Sequence, residues 1–222
     1  MIEYHYDVEQ GSDEWHDLRC GILTASEVKL ILTPTLKVAN NDKTRQHVYE
    51  IAAQRVTKYT EPQYISDDML RGMSDEILAV DLYSRKHHEV KPCGFITNSN
   101  YGFVFGYSPD GLVGEDGLIE IKSRCQKYQM QTIANNQVPD EYMLQIQTGL
   151  FLTQRKWLDF ISYCGGMPMF IKRVFPQQEY FDAIQSASEG FEEKVNEVIS
   201  AYNKNSADLH PTEREDKDLE II

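Results

Sequence analysis

The sequence lacks several features that would place the protein in a membrane or outside the cell. It has no apolar run of about 18 residues, the length a membrane-spanning helix needs. Its first residues, MIEYH, show no basic stretch followed by an apolar one, so we predict no signal peptide. The four cysteines, Cys20, Cys93, Cys125 and Cys164, are far apart and form no C-x-x-C pair. This spacing suggests neither a disulfide framework nor a zinc site. We therefore expect reduced thiols and a cytoplasmic location.

An excess of positive charge is also missing. The chain has 22 Lys and Arg residues against 35 Asp and Glu residues, which gives a net charge of −13. This balance excludes a DNA-binding domain that is basic over its whole surface, but not a basic groove on an acidic body. Hydrophobic residues make up 41% and aromatic residues 11% of the 222 positions, which is enough for a folded domain.

The order of the predicted helices and strands indicates an α/β or α+β layered domain. Short helices are expected to begin at Ser12 and at Ser26, because both residues are good N-caps. Further helices are predicted over 43–59, 66–86, 139–153 and 178–202, and strands over 101–107, 117–122, 156–163 and 170–174. We assign residues 1–202 to one domain and residues 203–222 to an acidic, flexible tail.

The segment 108–122 carries the most informative charges. Glu120 and Lys122 are two residues apart on a predicted strand, so both side chains point to one face. Asp110 reaches that face only if the intervening turn has an odd number of residues, such as 114–116. A two-residue turn would place it on the opposite face. The glycines at 114 and 117, at the start and just past the end of this turn, favour the odd loop or a bulge.

Two carboxylates and a lysine on one face suit the hydrolysis of a phosphodiester. Carboxylate oxygens are ligands of Mg²⁺, which activates water, and a nearby lysine stabilises the charge that develops on the phosphate. The same charges also occur on ordinary solvated hairpins, so the pattern alone leaves both interpretations open.

By position alone, Glu76 is an ordinary helix surface charge. Gln145 and Gln147 cannot share a helix face, so we expect one to face a site while the other can be exposed.

Four segments, in this order along the chain, resemble phage lambda exonuclease and the YqaJ-like viral recombinases of the PD-(D/E)xK nuclease superfamily. They are EQGSDEWHDLRCGILTASEV (9–28), RGMSDEILAVDLY (71–83), SPDGLVGEDGLIEIKS (108–123) and YMLQIQTGLFLT (142–153). The first is the most specific, because no general structural rule requires that string. The resemblance covers residues 9–200 and implies a restriction-endonuclease-like fold, with a central mixed β-sheet flanked by helices.

The resemblance also implies a metal site. Asp110 and Glu120 match the two metal-binding acids, and the backbone carbonyl of Ile121 matches a further ligand. Glu76 matches a helix acid that serves a second metal ion, which changes the interpretation of that residue. The family therefore implies two Mg²⁺ ions, with Mn²⁺ as a possible substitute.

Further residues match catalytic and phosphate-binding positions of the family. Lys122 matches the water-activating lysine, and Gln145 is the glutamine that we expect at the site. The match also implies that Arg19 and Ser26 bind the 5′-phosphate of the strand end. The family's third phosphate ligand is an arginine, but here Tyr128 stands in its place. The neighbouring Arg124 and Lys127 are candidates to replace it.

The activity implied is a Mg²⁺-dependent 5′-to-3′ exonuclease that digests one strand of linear double-stranded DNA and leaves 3′ overhangs. The family further implies phage-type recombination with a single-strand annealing protein in the host cytoplasm. It also implies a homotrimeric ring that threads DNA, and the candidates for its basic lining are Arg45, Arg55, Lys58, Arg71 and Lys127. Two alternatives remain at this stage: an endonuclease of the same superfamily, or a non-catalytic module that binds DNA ends.

Overall fold

A computed structural model of the protein describes residues 1–62, 64 and 66–214. Within them the helices are α1 (Asp13–Arg19), α2 (Val28–Ile31), α3 (Asp42–Thr57), α4 (Asp67–Lys86), α5 (Gln126–Asn135), α6 (Asp140–Thr153) and α7 (Gln178–Asn205). The strands are β1 (Ile2–His5), β2 (Leu23–Thr24), β3 (Phe95–Asn98), β4 (Phe105–Tyr107), β5 (Gly111–Val113), β6 (Gly117–Ser123), β7 (Trp157–Tyr163) and β8 (Phe170–Val174).

These strands form two four-stranded sheets with the orders β1-β3-β4-β2 and β5-β6-β7-β8. The pairs β2–β4 and β6–β7 are parallel, whereas the remaining pairs are antiparallel. The prediction of an α/β fold with mixed β-structure flanked by helices is therefore confirmed, with the strands divided between two sheets.

The main hydrophobic core joins α2, α3, α6 and α7 to both sheets. It includes Leu23, Val28, Ile51, Ile96, Phe105, Leu144, Leu150, Phe160, Ile184 and Phe191. A smaller cluster holds the C-terminal half of α4 against the second sheet, and it consists of Ala79, Tyr83, Val113, Ile119, Ile121 and Ile161. Burying a large apolar side chain contributes about 1.5–3 kcal/mol, so these clusters fix the helices that surround the site.

Of three local predictions, two differ from the structure and one is confirmed. Of the strand predicted over 101–107, only Phe105–Tyr107 is extended, because the chain turns through Gly102 at a positive φ of 84°. Ser12 caps α1 as predicted, since its side chain accepts a hydrogen bond from the Trp15 amide. Ser26 does not cap α2. The N-cap residue is Glu27, and no side chain caps that helix.

The C-terminal helix α7 continues to Asn205, past the predicted domain boundary at residue 202. Beyond it, the Arg214 guanidinium lies 3.3 Å from the centre of the Tyr59 ring. The end of the predicted acidic tail, residues 215–222, lies outside the described residues. In the part of the chain that the structure covers, no helix is long and apolar enough to cross a bilayer.

One side of α4 carries apolar side chains that the fold leaves at the surface. This α4 apolar face consists of Met69, Leu70, Met73, Ile77 and Leu78, each of them exposed. Ile77, at its centre, is 72% exposed. Of the residues of α4, only Ala79 and Tyr83 are buried.

Candidate active site

The hairpin of β5 and β6 brings the predicted acids together. The strands pair with Gly111 opposite Ile119 and Val113 opposite Gly117, so residues 114–116 form a three-residue loop. This is the odd loop that the sequence favoured. The same register, extended by one residue, puts Asp110 opposite Glu120. Asp110 Oδ2 accepts a hydrogen bond from the Ile121 amide at 2.5 Å.

Glu120 lies at the centre of the site and is only 1% exposed. Its Oε1 accepts hydrogen bonds from Lys122 Nζ at 2.5 Å and from Gln145 Nε2 at 2.6 Å. Its Oε2 accepts a hydrogen bond from the Tyr107 hydroxyl at 3.1 Å. Donors on β6, α6 and β4 thus hold one buried carboxylate, and they compensate for the loss of its hydration.

The Lys122 ammonium remains charged although it is largely buried. Burial by itself would lower its pKa, but the negative charges of Glu120 and Asp110 outweigh that effect and raise the pKa above its usual value. The ammonium also lies 5.6 Å from the centre of the Tyr142 ring. A fixed positive charge at this position can stabilise an anion that approaches Glu120 and Asp110.

The three carboxylates of the site influence one another. Burial, followed by repulsion from Glu120 and Glu76, raises the pKa of Asp110 well above its usual range. Burial, followed by repulsion from Glu120, raises the pKa of Glu76, and Lys122 partly offsets this rise. Glu76 therefore lies at the site rather than on open helix surface.

The two glutamines of α6 have different surroundings. Gln145 reaches Glu120, as expected. Gln147 is fully buried rather than exposed, because its amide joins α6 to the segment before α7. It donates to the carbonyl of Phe175 at 2.9 Å and accepts from the amide of Gln177 at 3.0 Å. Gln147 therefore connects two parts of the fold, and neither hydrogen bond is made with the site.

The N-terminal segment supports the loop that carries Asp110, a role that we did not predict. Gln10 Nε2 donates to the Pro109 carbonyl at 2.8 Å, and Trp15 Nε1 donates to Ser108 Oγ at 2.9 Å. The sequence offered one related sign, since the motifs E-Q-G…W and S-P-D occur in the same chain. It indicated a shared family, but it did not indicate contact.

Tyr107 and Gly149 were also missed as parts of the site. The Tyr107 ring packs so closely on α6 that a Cβ atom at position 149 would lie 2.8 Å from its Cζ. A glycine at 149 therefore allows the ring to lie where its hydroxyl reaches Glu120. Nothing in a single sequence pairs these two positions.

Arg19 and Ser26, the predicted phosphate ligands, lie on either side of β2. Arg19 Nη1 donates to Ser108 Oγ at 3.4 Å, and its guanidinium carbon lies 4.2 Å from the centre of the Trp15 ring. Burial lowers the pKa of Arg19, and the charge of Glu27 partly restores it. Arg19 thus lies beside the loop that carries Asp110.

The surroundings of Ser26 differ from the helix start that the sequence predicted. Ser26 Oγ lies 3.2 Å from Thr24 Oγ1, whereas Glu27 Oε2 accepts hydrogen bonds from the Thr24 amide at 2.9 Å and hydroxyl at 2.7 Å. Because α2 has only four residues and begins after Glu27, it offers no helix N-terminus at Ser26 for an anion. Any role of Ser26 in phosphate binding must come from its hydroxyl.

Arg124 and Lys127, the candidates for the third phosphate position, differ in their contacts. Arg124 Nη1 donates to Glu141 Oε1 at 2.7 Å and also to the Tyr142 hydroxyl. These contacts raise the pKa of Arg124, although burial opposes the rise. Lys127 is exposed in the first turn of α5, and its ammonium lies 4.7 Å from the centre of the Tyr128 ring.

Arg55, predicted to line a DNA channel, is instead part of a structural ion pair. Its two terminal nitrogens each donate to Glu192 at 2.7 Å, and its Nε donates to the Gly21 carbonyl at 2.6 Å. The pair joins α3 to α7. The other candidates for the channel lining remain predictions.

The donor chemistry of the site fits a hard divalent cation. Asp110, Glu120 and Glu76 supply carboxylate oxygens, and burial, followed by repulsion among them, raises the pKa values of Asp110 and Glu76. A bound cation would relieve this repulsion. Both oxygens of Glu120 accept hydrogen bonds within the chain. Consistent with this arrangement, no three His, Cys, Asp or Glu side chains of the described residues stand in coordinating geometry.

Comparison with known proteins places this site in a family. A model described as the YqaJ-like viral recombinase domain matches residues 14–156. The chain belongs to this family. The matched range includes all of the predicted metal-binding, catalytic and phosphate-binding residues. No curated protein matches the sequence of this YqaJ-like domain.

Solved structures resemble the YqaJ-like domain over most of its length. An alkaline exonuclease (LHK-Exo) from Laribacter hongkongensis is 29% identical, with a TM-score of 0.79, and the match covers 90% of this chain and 100% of that one. Its complex with dAMP is matched with 28% identity, a TM-score of 0.74 and the same coverage. A phage-related exonuclease from Haemophilus somnus 129PT is 14% identical, with a TM-score of 0.58, covering 81% of this chain and 96% of that one. This last likeness shows the fold alone.

Proposed function

We propose that this YqaJ-like domain is a metal-dependent nuclease that digests linear double-stranded DNA from its 5′ ends and leaves 3′ single-stranded overhangs. The observation that carries the proposal is the buried Glu120 carboxylate, which Lys122, Gln145 and Tyr107 hold beside Asp110. Such an arrangement is costly for stability, since several charges share a buried site, and this cost is typical of a catalytic centre. The likeness to an alkaline exonuclease supports the same reaction.

The cofactor that fits this site best is Mg²⁺. Asp110, Glu120, the Ile121 carbonyl and Glu76 would hold one or two ions, and Mn²⁺ would substitute because it accepts the same oxygen ligands. When bound, the metal supplies Lewis-acid activation of water and neutralises charge on the phosphate.

The chain's own residues prepare the remainder of the site. Lys122 keeps a positive charge next to the acids, where it can orient water and stabilise negative charge on the phosphate that is cleaved. Gln145 and Tyr107 fix the two oxygens of Glu120 from opposite sides, so the carboxylate does not need to reorganise during the reaction. Asp110 is held in place by the Ile121 amide.

The position of Arg19 supports attack from a 5′ end rather than at an internal bond. Arg19 contacts Ser108, which is two residues before Asp110, so a terminal phosphate bound by Arg19 would lie next to the acids. Arginine binds phosphate well because its guanidinium offers two parallel donors. The relative LHK-Exo has been solved with dAMP, a 5′-mononucleotide of the kind that this reaction would release.

The proposal predicts a clear preference among DNA substrates. With Mg²⁺, linear duplex DNA carrying 5′-phosphates should release mononucleotides, duplex DNA with 5′-hydroxyl ends should react more slowly, and a closed circle should remain intact. A time course that follows mononucleotides and circle topology measures all three. Nicking of the circle would instead indicate an endonuclease, and no cleavage of any substrate would indicate a binding module.

An Arg19→Ala variant tests the role of the phosphate-binding residues in this preference. It should bring the rate on 5′-phosphate ends down to the rate on 5′-hydroxyl ends, because the variant has lost the phosphate contact. Arg85→Ala is the matched control, since Arg85 lies on the surface and pairs with Asp81 of its own helix. A variant that retained the full preference would remove Arg19 from the proposal.

We further propose that the domain assembles as a homotrimeric ring around its DNA and works with a single-strand annealing protein in phage-type recombination in the host cytoplasm. The α4 apolar face supports an assembly, because contiguous exposed apolar residues are typical of surfaces that a partner covers. A net charge of −13 also suits a ring whose outer surface repels DNA that has not entered the channel.

The assembly is expected to dissociate when the α4 apolar face is made charged. Light scattering after size exclusion should give three times the chain mass of 25.7 kDa for the wild type and a smaller mass for Ile77→Glu. Val38→Glu is the matched control, because Val38 is also exposed, at 58%, but lies outside that face. A wild-type monomer that degrades long DNA without dissociating would contradict the ring.

A further inference from the structure

A short hydrogen-bonded chain connects the strand and the helix that carry the acids. Ser123 directly follows Lys122 on β6, and Asp75 directly precedes Glu76 on α4. Ser123 Oγ donates to Asp75 Oδ2 at 2.6 Å and accepts from Arg71 Nε at 3.3 Å. We call Arg71, Asp75 and Ser123 the Ser123 latch. It connects the two elements one residue away from the site on each side.

We propose that Asp75 and Ser123 are positioning residues that hold Glu76 toward Glu120 for metal binding and cleavage. The inference rests on the proposed nuclease function and deepens it, since it assigns a role to two residues that do not themselves touch the substrate. The argument uses the packing of α4, the charges at the site and the chemistry of the latch.

The packing of α4 secures only the C-terminal half of the helix. Ala79 and Tyr83 are fully buried, and the Tyr83 hydroxyl donates to Asp159 on β7 at 2.6 Å. Toward the N-terminus, every residue over 67–74 except Gly72 is exposed. Glu76 lies at the junction of the two halves. The latch is therefore the polar connection that holds the N-terminal half of α4 to the sheet next to Glu76.

The charges at the site make such a connection necessary. Glu76 and Glu120 are like-charged, and Glu76 is partly buried while Glu120 is fully buried, so they repel each other more strongly than they would in water. The repulsion favours movement of the exposed half of α4 away from β6. A hydrogen bond from Ser123 to Asp75 opposes that movement at the residue adjacent to Glu76.

The latch has the chemistry of a strong contact. A hydroxyl that donates to an ionised carboxylate forms a charge-assisted hydrogen bond, which is roughly twice as strong as a neutral one. Arg71 orients the hydroxyl from the other side and also donates to Asp68 Oδ1 at 2.8 Å. Because Arg71 and Asp75 are four residues apart on α4, both face Ser123.

The test compares Ser123→Ala, Asp75→Ala and the double variant with the wild-type chain. Mn²⁺ binding is measured by calorimetry without DNA, and turnover on linear duplex DNA is measured with Mg²⁺. Removing a group that orients a metal ligand typically weakens metal affinity or activity about 10- to 100-fold. We expect each single variant to show about a tenfold loss in both Mn²⁺ affinity and kcat, with an unchanged KM for DNA. The double variant should lose no more than either single variant, because both changes break the same hydrogen bond.

The chain offers matched controls for both substitutions. Ser74→Ala removes a hydroxyl from α4, the helix that also carries Asp75. That hydroxyl donates only to the carbonyl of Leu70 in the same helix, at 3.2 Å. Asp81→Ala removes a carboxylate that forms an exposed pair with Arg85 at 2.6 Å. Both controls should behave as the wild type. Asp75→Asn should recover part of the loss, because its amide oxygen still accepts from Ser123.

Glu120→Ala, run in parallel, separates the two proposals. If Glu120→Ala still cleaves DNA, the nuclease function assigned to the site is wrong. If Glu120→Ala is inactive while Ser123→Ala keeps wild-type kcat and Mn²⁺ affinity, the positioning role alone is overturned. Should Ser123→Ala fail to fold, Asp75→Ala and Asp75→Asn provide the same test from α4, where Asp75 lies at the partly exposed end.

Discussion

Replacing Lys122 with alanine is expected to reduce cleavage of linear duplex DNA by about 10²- to 10³-fold, the loss typical when a preorganised charge is removed. The ammonium contacts Glu120 at 2.5 Å, and neighbouring acids keep it charged. Gln145 and Tyr107 would still hold Glu120 in the variant, so the fold should survive. Initial rates with Mg²⁺ and circular dichroism spectra measure the two effects.

Two control variants show whether the lower cleavage rate of Lys122→Ala reflects the chemical step. Lys156→Ala removes an exposed lysine that pairs with Asp116 at 3.0 Å, and it should leave both rate and stability unchanged. Arg55→Ala breaks the ion pair with Glu192 and should lower the melting temperature, but not the rate at a temperature where the variant is folded. Wild-type rates in Lys122→Ala would remove the lysine from the proposed reaction.

The geometry of the β5–β6 hairpin could be predicted from the sequence because it depends on local constraints. Strand alternation places Glu120 and Lys122 on one face whatever the rest of the fold does. Only the turn then had to be decided, and its glycines favoured the three-residue loop that the structure shows. Gly114 adopts a positive φ of 53°, which a glycine allows at little cost.

Other parts of the site depend on contacts between distant segments. Helical spacing places Glu76 beside an apolar stripe, but it does not show which side of α4 faces β6. Arg124, which follows β6, is held by Glu141 and Tyr142 on α6. Arg55 looked like a basic surface residue because its partner, Glu192, is far along the chain. The family resemblance implied the role of Glu76. The contacts of Arg124 and Arg55 could be seen only in the structure.

The secondary structure that we missed is short or weakly patterned. Strands β1 and β3 have four residues each, too few for alternation to be distinctive. Helix α5 is rich in glutamine, and its buried residues, Gln129 and Thr132, are both polar. Gln129 is buried because its amide donates to the carbonyls of Ser162 and Pro168, so a tertiary contact rather than hydrophobicity holds this helix in place.

The carboxylate cluster should make the metal-free protein less stable at high pH. Because burial and neighbouring acids raise the pKa values of Asp110 and Glu76, the folded state binds protons more tightly there than the unfolded state. The stability contributed by these protons is fully present below about pH 4, the usual range of the carboxyl groups, and is lost as the pH rises through their raised pKa values. The melting temperature of the metal-free wild type should therefore fall as the pH rises above the usual carboxyl range of about pH 4.

An Asp110→Asn variant should lose most of this pH dependence, because asparagine carries no charge and can still accept from the Ile121 amide. At high pH the variant should thus melt above the metal-free wild type, and we expect it to be catalytically inactive. Adding Mg²⁺ should stabilise the wild type but not the variant, since only the wild type keeps both of the acids that we propose bind the metal.

Asp116→Asn is the matched control for this change. Asp116 lies in the same hairpin but forms only an exposed pair with Lys156, and such pairs contribute at most about 1 kcal/mol. Its melting temperature should follow that of the wild type across the pH range. If Asp110→Asn instead melts below the wild type at every pH, the Asp110 carboxylate stabilises the fold. The cluster would then be a structural ion network, because a site that keeps repelling acids for chemistry must become more stable when one of them is neutralised.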